Sequence, residues 1–205
     1  MLLDRTWRMH PSLCSYTSEM FYDDRLEGVA DLENQLVLGD EASECGIRFV
    51  PVSHQGNANG SPEEAAVVAN LVGSFLGSSW QDKDGVERAF TSEDVLVITP
   101  FNVQVREIKR ALATTGYSDV RVGTVDKFQG REAAVSIYSM ASSTAEDATR
   151  GIEFLYDLHR LNVATSRARG LAVIVASPDL LRVFCRTTKQ MQMVNALCRA
   201  WEMAQ

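Results

Sequence analysis

The chain has 205 residues, a mass of 22.7 kDa and a formal charge of −7 at pH 7, so it is long enough to bury a core without disulfide or metal staples. A composition of 45% hydrophobic and 23% charged residues excludes disorder of the whole chain. No apolar run reaches the roughly 18 residues of a membrane span, and the opening Met1-Leu2-Leu3-Asp4-Arg5 lacks the basic-then-apolar order of a secretory signal. No membrane partner is expected, and the expected location is the cytoplasm.

The elements can be read in chain order. Residues 11–22 suit a short helix, with Pro11 at its first turn and Leu13, Met20 and Phe21 as its apolar positions. Residues 23–60 are acidic and read as an irregular surface excursion, interrupted by an apolar strand over 47–52 and followed by a polar loop over 54–60. Ser61, Pro62, Glu63 and Glu64 supply a cap, a proline at the first position and acid in the first turn, and so predict a helix over 61–76. Residues 77–93 read as a polar connection. The run over 94–99, D-V-L-V-I-T, suits a strand buried on both faces.

Residues 102–113 have helical spacing at Val105, Ile108 and Leu112, and further strands are predicted over 120–125, 134–140 and 171–176. Between the last two, residues 153–168 suit one helix with Leu155, Leu158 and Leu161 on one side, and residues 179–203 close the chain as one or two helices. Strands alternating with helices predict an α/β fold, a parallel sheet covered by helices on both faces, as one domain over 1–205. Ligands in such sheets sit beyond the carboxyl ends of the strands.

Charge is uneven: residues 1–90 carry 6 basic and 15 acidic side chains, and residues 91–205 carry 14 and 12. A polyanion would therefore have to meet a local basic surface on the second part. Cys14, Cys45, Cys185 and Cys198 form no C-x-x-C pair, and His10, His54 and His159 begin no H-E-x-x-H helix, so no metal site is expected and the thiols read as reduced. None of Lys83, Lys109, Lys127 and Lys189 follows a glycine, so G-x-x-x-x-G-K-[ST] is absent. Leu36 to Glu41 has the apolar-then-acidic order of a magnesium-binding segment, but without a P-loop it reads as an acidic turn. Hydrolysis by this chain alone is not expected.

Four segments carry the chemistry: Thr6-Trp7-Arg8-Met9-His10-Pro11, Val97-Ile98-Thr99-Pro100-Phe101-Asn102-Val103-Gln104, Val122 to Glu132 (V-G-T-V-D-K-F-Q-G-R-E) and Leu161 to Arg169 (L-N-V-A-T-S-R-A-R). In this order they resemble the second RecA-like domain of superfamily 1 helicases of the Upf-like group, with its Y-R-M-H-P, T-P-Y, T-V-D-x-F-Q-G-x-E and L-N-V-A-x-T-R-A-R pattern. The resemblance runs from Trp7 to Ser177. It implies a RecA-like three-layer sandwich and a P-loop domain elsewhere in the same polypeptide, which would hold ATP and its Mg.

The resemblance also assigns roles. Arg8 and Arg167 become arginine fingers, for which a permanently charged, bidentate guanidinium is suited. Trp7, in place of the usual tyrosine, stacks on adenine. Glu132 accepts hydrogen bonds from the ribose, Gly130 provides the turn beside it, and Gln129 links nucleotide to nucleic acid. Thr99 and Thr124 hold phosphates of single-stranded DNA or RNA, with Pro100 and Phe101 shaping that surface and the Phe101 ring facing a base. Arg160 and Arg167, seven residues apart, would share a helical face. The alternative reading is a non-catalytic module that retains this fold and binds nucleic acid or protein.

Overall fold

The computed structural model describes residues 4–39, 42–128 and 130–205. The first half contains β1 (Arg5–Thr6), α1 (Pro11–Phe21), β2 (Glu27–Gly28), β3 (Leu36–Leu38), β4 (Ser43–Glu44), β5 (Gly46–Pro51), α2 (Pro62–Leu76), β6 (Ser79–Gln81) and β7 (Glu87–Ala89). The second contains β8 (Val95–Thr99), α3 (Asn102–Thr114), β9 (Arg121–Thr124), β10 (Ala133–Ser139), α4 (Ile152–Leu155), α5 (Leu158–Thr165), β11 (Ala168–Ala176) and α6 (Thr188–Met203).

Five strands make one all-parallel sheet in the order β5-β11-β10-β8-β9. Alternate residues of its strands face two different cores, which is why these strands read as unbroken apolar runs. Leu96, Ile98, Tyr138 and Ile174 pack with Tyr16 of α1 and with Leu155, Leu161 and Leu197 from α4, α5 and α6. Val95, Val97, Val135, Ile137, Val173 and Val175 pack on the other side with Val68 and Val72 of α2 and Ile108 and Leu112 of α3. The result is the expected three-layer α/β architecture.

The irregular excursion over 23–60 and the polar connection over 77–93 are both corrected. β4, β3, β6 and β7 form a second, antiparallel sheet in that order, joining the two segments. Trp80 of β6 is buried and turns this small sheet into a lid over the start of β11. A Cβ added to Gly170 would lie 2.7 Å from the Trp80 ring and 2.9 Å from the Gln35 carbonyl oxygen. Contact this close leaves room only for glycine. The strands escape pattern reading because each has only two or three residues.

Polar groups at the carboxyl end of β10 are tied into one buried network. Glu64 follows its cap, Ser61, by three residues, and its backbone N–H donates to the Ser61 hydroxyl at 3.1 Å. Its carboxylate does not fold back on the cap. It accepts from the Ser139 hydroxyl at 2.7 Å and the Ala141 N–H at 2.9 Å, and pairs with His54 Nε2 at 3.0 Å. Gln104 takes over the cap, accepting from Ser61 N–H at 2.7 Å and donating to the Ser139 hydroxyl at 2.9 Å. His54 Nδ1 lies 2.8 Å from the Ser143 hydroxyl. The network holds Ala141 at φ +67, a left-handed conformation in a buried alanine that costs about 1–3 kcal/mol unless surrounding contacts impose it.

Candidate functional site

The segment around Trp7 and Arg8 is fixed at both ends. β1 pairs with β2, Arg5 opposite Glu27 and Thr6 opposite Gly28. His10 N–H donates to the Arg169 carbonyl at 2.7 Å, and His10 Nδ1 caps α1 by accepting from Ser12 N–H at 3.1 Å. Burial pushes the His10 imidazole below its usual range, with the carbonyl and charge of Glu33 acting against that shift. Between these anchors the Gln35 side chain donates to the Arg8 carbonyl at 2.8 Å. The turn is therefore held while its side chains stay available.

Arg8 Nε donates to Glu132 Oε2 at 2.6 Å, and its Nη1 reaches the Ser166 carbonyl at 3.3 Å. Ala133 N–H donates to the Arg167 carbonyl at 3.0 Å. Three segments far apart in sequence thus meet on one face: the turn carrying Arg8, the loop carrying Glu132, and the bend carrying Arg167. A groove of about 610 Å³ runs along it, lined by Trp7, Arg8, Met9, Glu132 and Ser166 among others. Trp7 is 73% exposed beside this groove, so its ring is not a core aromatic.

Arg167 points into a smaller recess of about 100 Å³ with Val125, Asp126, His159 and Val163. Its Nε is buried with no hydrogen-bond partner among the described residues. Burial holds the Arg167 guanidinium below its usual pKa, the charge of Arg8 adds to that shift, and Glu132 opposes it. Two guanidinium groups thus stand together on this face with Glu132 and Asp126 as the carboxylates beside them, and one guanidinium donor is unspent. Such a site suits a polyvalent anion carrying a flat apolar ring. Among the described residues, no group of three or more His, Cys, Asp or Glu is placed to hold a metal ion.

Other expectations change. The helix predicted over 153–168 is two helices, α4 and α5, with Asp157 capping the second by accepting from Arg160 N–H at 2.8 Å. α5 ends at Thr165 because Ala168 already pairs with Ala133 in the sheet. Arg167 lies in the bend between helix and strand, so it shares no helical face with Arg160. Thr99 and Phe101 are 0% and 6% exposed, and Pro100 is also buried. The Phe101 ring lies 5.4 Å from that of Phe154, inside the core, so it has no face open to a base. Thr124, at the end of β9, is half-buried. Gly130 has φ +80, the left-handed turn expected of it. Gln129 lies outside the described residues.

The supports of this face came from residues to which the sequence had given no role. Arg169 places its guanidinium 5.4 Å from the Trp80 ring and 3.8 Å from the Asp94 carboxylate. The same Asp94 takes a two-pronged ion pair from Arg88 at 2.7 and 2.6 Å. Together with Gln35 and Gly170, these contacts fasten the small sheet to the bend that carries Arg167. The only hint in the sequence was the glycine directly after the S-R-A-R segment.

A family model described as an AAA domain matches residues 1–179. Helicase mov-10-B.2 of Danio rerio is 30% identical over 195 residues, covering 86% of this chain and 19% of that protein. The regulator of nonsense transcripts 1 homolog of Arabidopsis thaliana is 34% identical over 199 residues, covering 85% and 14%. Helicase sen1 of Schizosaccharomyces pombe is 30% identical over 192 residues, covering 88% and 11%. The chain thus spans under a fifth of the length of these relatives. Among solved structures, the C-terminal domain of a possible DNA helicase from Lactobacillus aligns over 87% of this chain and 94% of that one, with 14% identity and a TM-score of 0.48.

Proposed function

The chain belongs to the AAA domain family, as the second RecA-like domain of a superfamily 1 helicase of the Upf-like group, and from that premise we propose that it supplies Arg8 and Arg167 as arginine fingers to ATP held by a separate P-loop domain. The observation that carries this reading is the meeting of Arg8, Glu132 and Arg167 on one face, with a buried Arg167 donor left unpartnered.

In this reading Trp7 offers its exposed ring to the adenine. Arg8 leaves the Glu132 carboxylate and turns to the γ-phosphoryl oxygens, and the freed carboxylate accepts from the ribose hydroxyls. Arg167 adds the second guanidinium as negative charge develops on the transferring group. Guanidinium charge delivered this way accelerates phosphoryl transfer by about 10³–10⁵-fold. Gly130 gives the loop its turn toward the nucleotide, and Gln129, which precedes it in the chain, couples nucleotide to strand. Magnesium and its ligands belong to the partner domain, and the chain by itself is inactive. Thr124 and the backbone N–H of Thr99 contact phosphates of single-stranded DNA or RNA, with Pro100 and Phe101 shaping that surface. Four free cysteines suit the reducing cytoplasm.

The test combines the chain with the P-loop domain of its own polypeptide and measures ATP hydrolysis with and without a single strand. Hydrolysis that needs both parts and collapses in Arg167→Ala supports the motor reading. Hydrolysis unaffected by Arg167→Ala, or absent in every combination, overturns it and leaves a binding module that has kept the fold.

A further inference from the structure

The ring of Phe154, in α4, is covered by two guanidinium groups. The Cζ atoms of Arg150 and Arg160 lie 3.7 Å and 4.1 Å from its centroid, both within cation–π range. Neither side chain forms an ion pair or a side-chain hydrogen bond among the described residues. Lys189 differs: it is paired at 3.0 Å with Glu153, the residue next to Phe154. Two like charges are thus gathered on one aromatic ring and left without a counter-ion. Arg150 is exposed and Arg160 half-buried, so solvent and ligands can reach them.

The position of the cluster matters as much as its charge. Phe154 packs on Phe101, two residues past the carboxyl end of β8. Arg160 belongs to α5, which packs against the Val125–Phe128 turn just beyond Thr124. Beneath lies Tyr138 of β10, whose buried hydroxyl has no partner among the described residues and feels the Arg160 charge. The cluster therefore stands on the rim where ligands meet such sheets, close to the buried Thr99, Pro100 and Phe101.

We propose that Arg150, Phe154 and Arg160 form a clamp for the phosphodiester backbone of a single strand of nucleic acid. Resting on the motor reading above, this gives the strand a side-chain anchor where the buried side chains of Thr99, Pro100 and Phe101 offer none. Stacking on the ring holds each guanidinium in place before the ligand arrives, which lowers the ordering cost of the contact. A chain of net charge −7 attracts a polyanion poorly at long range, so the contact must come from local, unpaired cations such as these.

The clamp is tested with the 205-residue chain, using fluorescence anisotropy of labelled oligo(dT) and oligo(rU) over a series of salt concentrations. Arg150→Gln and Arg160→Gln should each weaken binding about fivefold and lower the log–log salt slope by about 0.7, the value for one phosphate contact on a single strand. Equal losses on both oligonucleotides support a backbone contact, and a loss on only one overturns it. Arg110→Gln is the control: Arg110 is an exposed arginine on α3 paired with Glu107. Its substitution should change nothing, and an equal loss there would reduce the effect to net charge and overturn the clamp. Unchanged affinity in both clamp variants, or competition by polyglutamate as effective as by oligonucleotide, also overturns it. Should Arg160→Gln fail to fold, the exposed Arg150 decides the matter. If Arg167→Ala abolishes hydrolysis while the clamp variants bind normally, the clamp alone fails. If Arg167→Ala hydrolyses normally, the motor reading fails whatever the binding data show.

Discussion

Two polar clusters in this molecule follow opposite rules. In the buried network around Glu64, both carboxylate oxygens are engaged, and His54, Ser139, Ser61 and Gln104 all have partners. On the face that carries the groove and the recess beside it, Arg8 and Arg167 stand close enough to oppose each other's charge, Glu132 pairs with Arg8, and the Arg167 Nε has no partner among the described residues. A saturated network stabilises the loops it joins and has nothing left for a ligand. An unsaturated one costs stability and keeps its donors for another molecule.

The contrast can be broken from the groove side first. Arg167→Ala should lower ATP hydrolysis by the chain with its P-loop partner by about 10³-fold, while thermal unfolding shifts little, because a repelling charge is removed. A large fall in melting temperature without a rate defect would place Arg167 with the structural residues. Next comes the network. Glu64→Ala leaves the Ala141 N–H, the Ser139 hydroxyl and His54 without their acceptor inside the core, and should cost about 3–5 kcal/mol in urea unfolding. Activity per folded molecule should survive.

Smaller effects sharpen the comparison. Gly170→Ala pushes a methyl into Trp80 and the Gln35 carbonyl, and should cost about 1–3 kcal/mol. Because Gln35 also holds the Arg8 carbonyl, hydrolysis should decline further than the stability loss alone explains. The smallest effect concerns pH. His10 has a folded-state pKa below its usual 6.5, so the unfolded chain takes up a proton first. The stability from its neutral ring is complete above 6.5 and declines as the pH falls below that value. Protonation also removes the Nδ1 acceptor of the α1 cap. His10→Asn, which keeps a capping oxygen without a titrating ring, should flatten that acid limb in urea unfolding followed across pH.

How much of this was legible in the sequence depended on the physical signal. The strands β8 and β10 announced themselves because burial on both faces demands continuous apolar residues, and α2 because Ser61, Pro62 and its first-turn acids mark a start. Arg8, Glu132 and Arg167 were legible as motif members, and the fold brings Arg8 to Glu132 at 2.6 Å. The small sheet was not, since two- and three-residue strands show no period and owe their order to Trp80. The end of α5 was misplaced because helical spacing continues past Thr165, while pairing of Ala168 with Ala133 ends the helix first. Burial of Phe101 was hidden for a related reason: a residue just past a strand end can face out or in, and here its ring packs on Phe154, which is 53 positions away.

The bend that carries Arg167 has a mechanical consequence. Ser166 and Arg167 are all that separate α5 from β11, a nine-residue strand inside the parallel sheet. Such a short hinge has almost no slack. Traction on that guanidinium is therefore transmitted directly to the stiffest part of the body, and whatever grips it displaces the whole sheet as one piece instead of bending a surface loop.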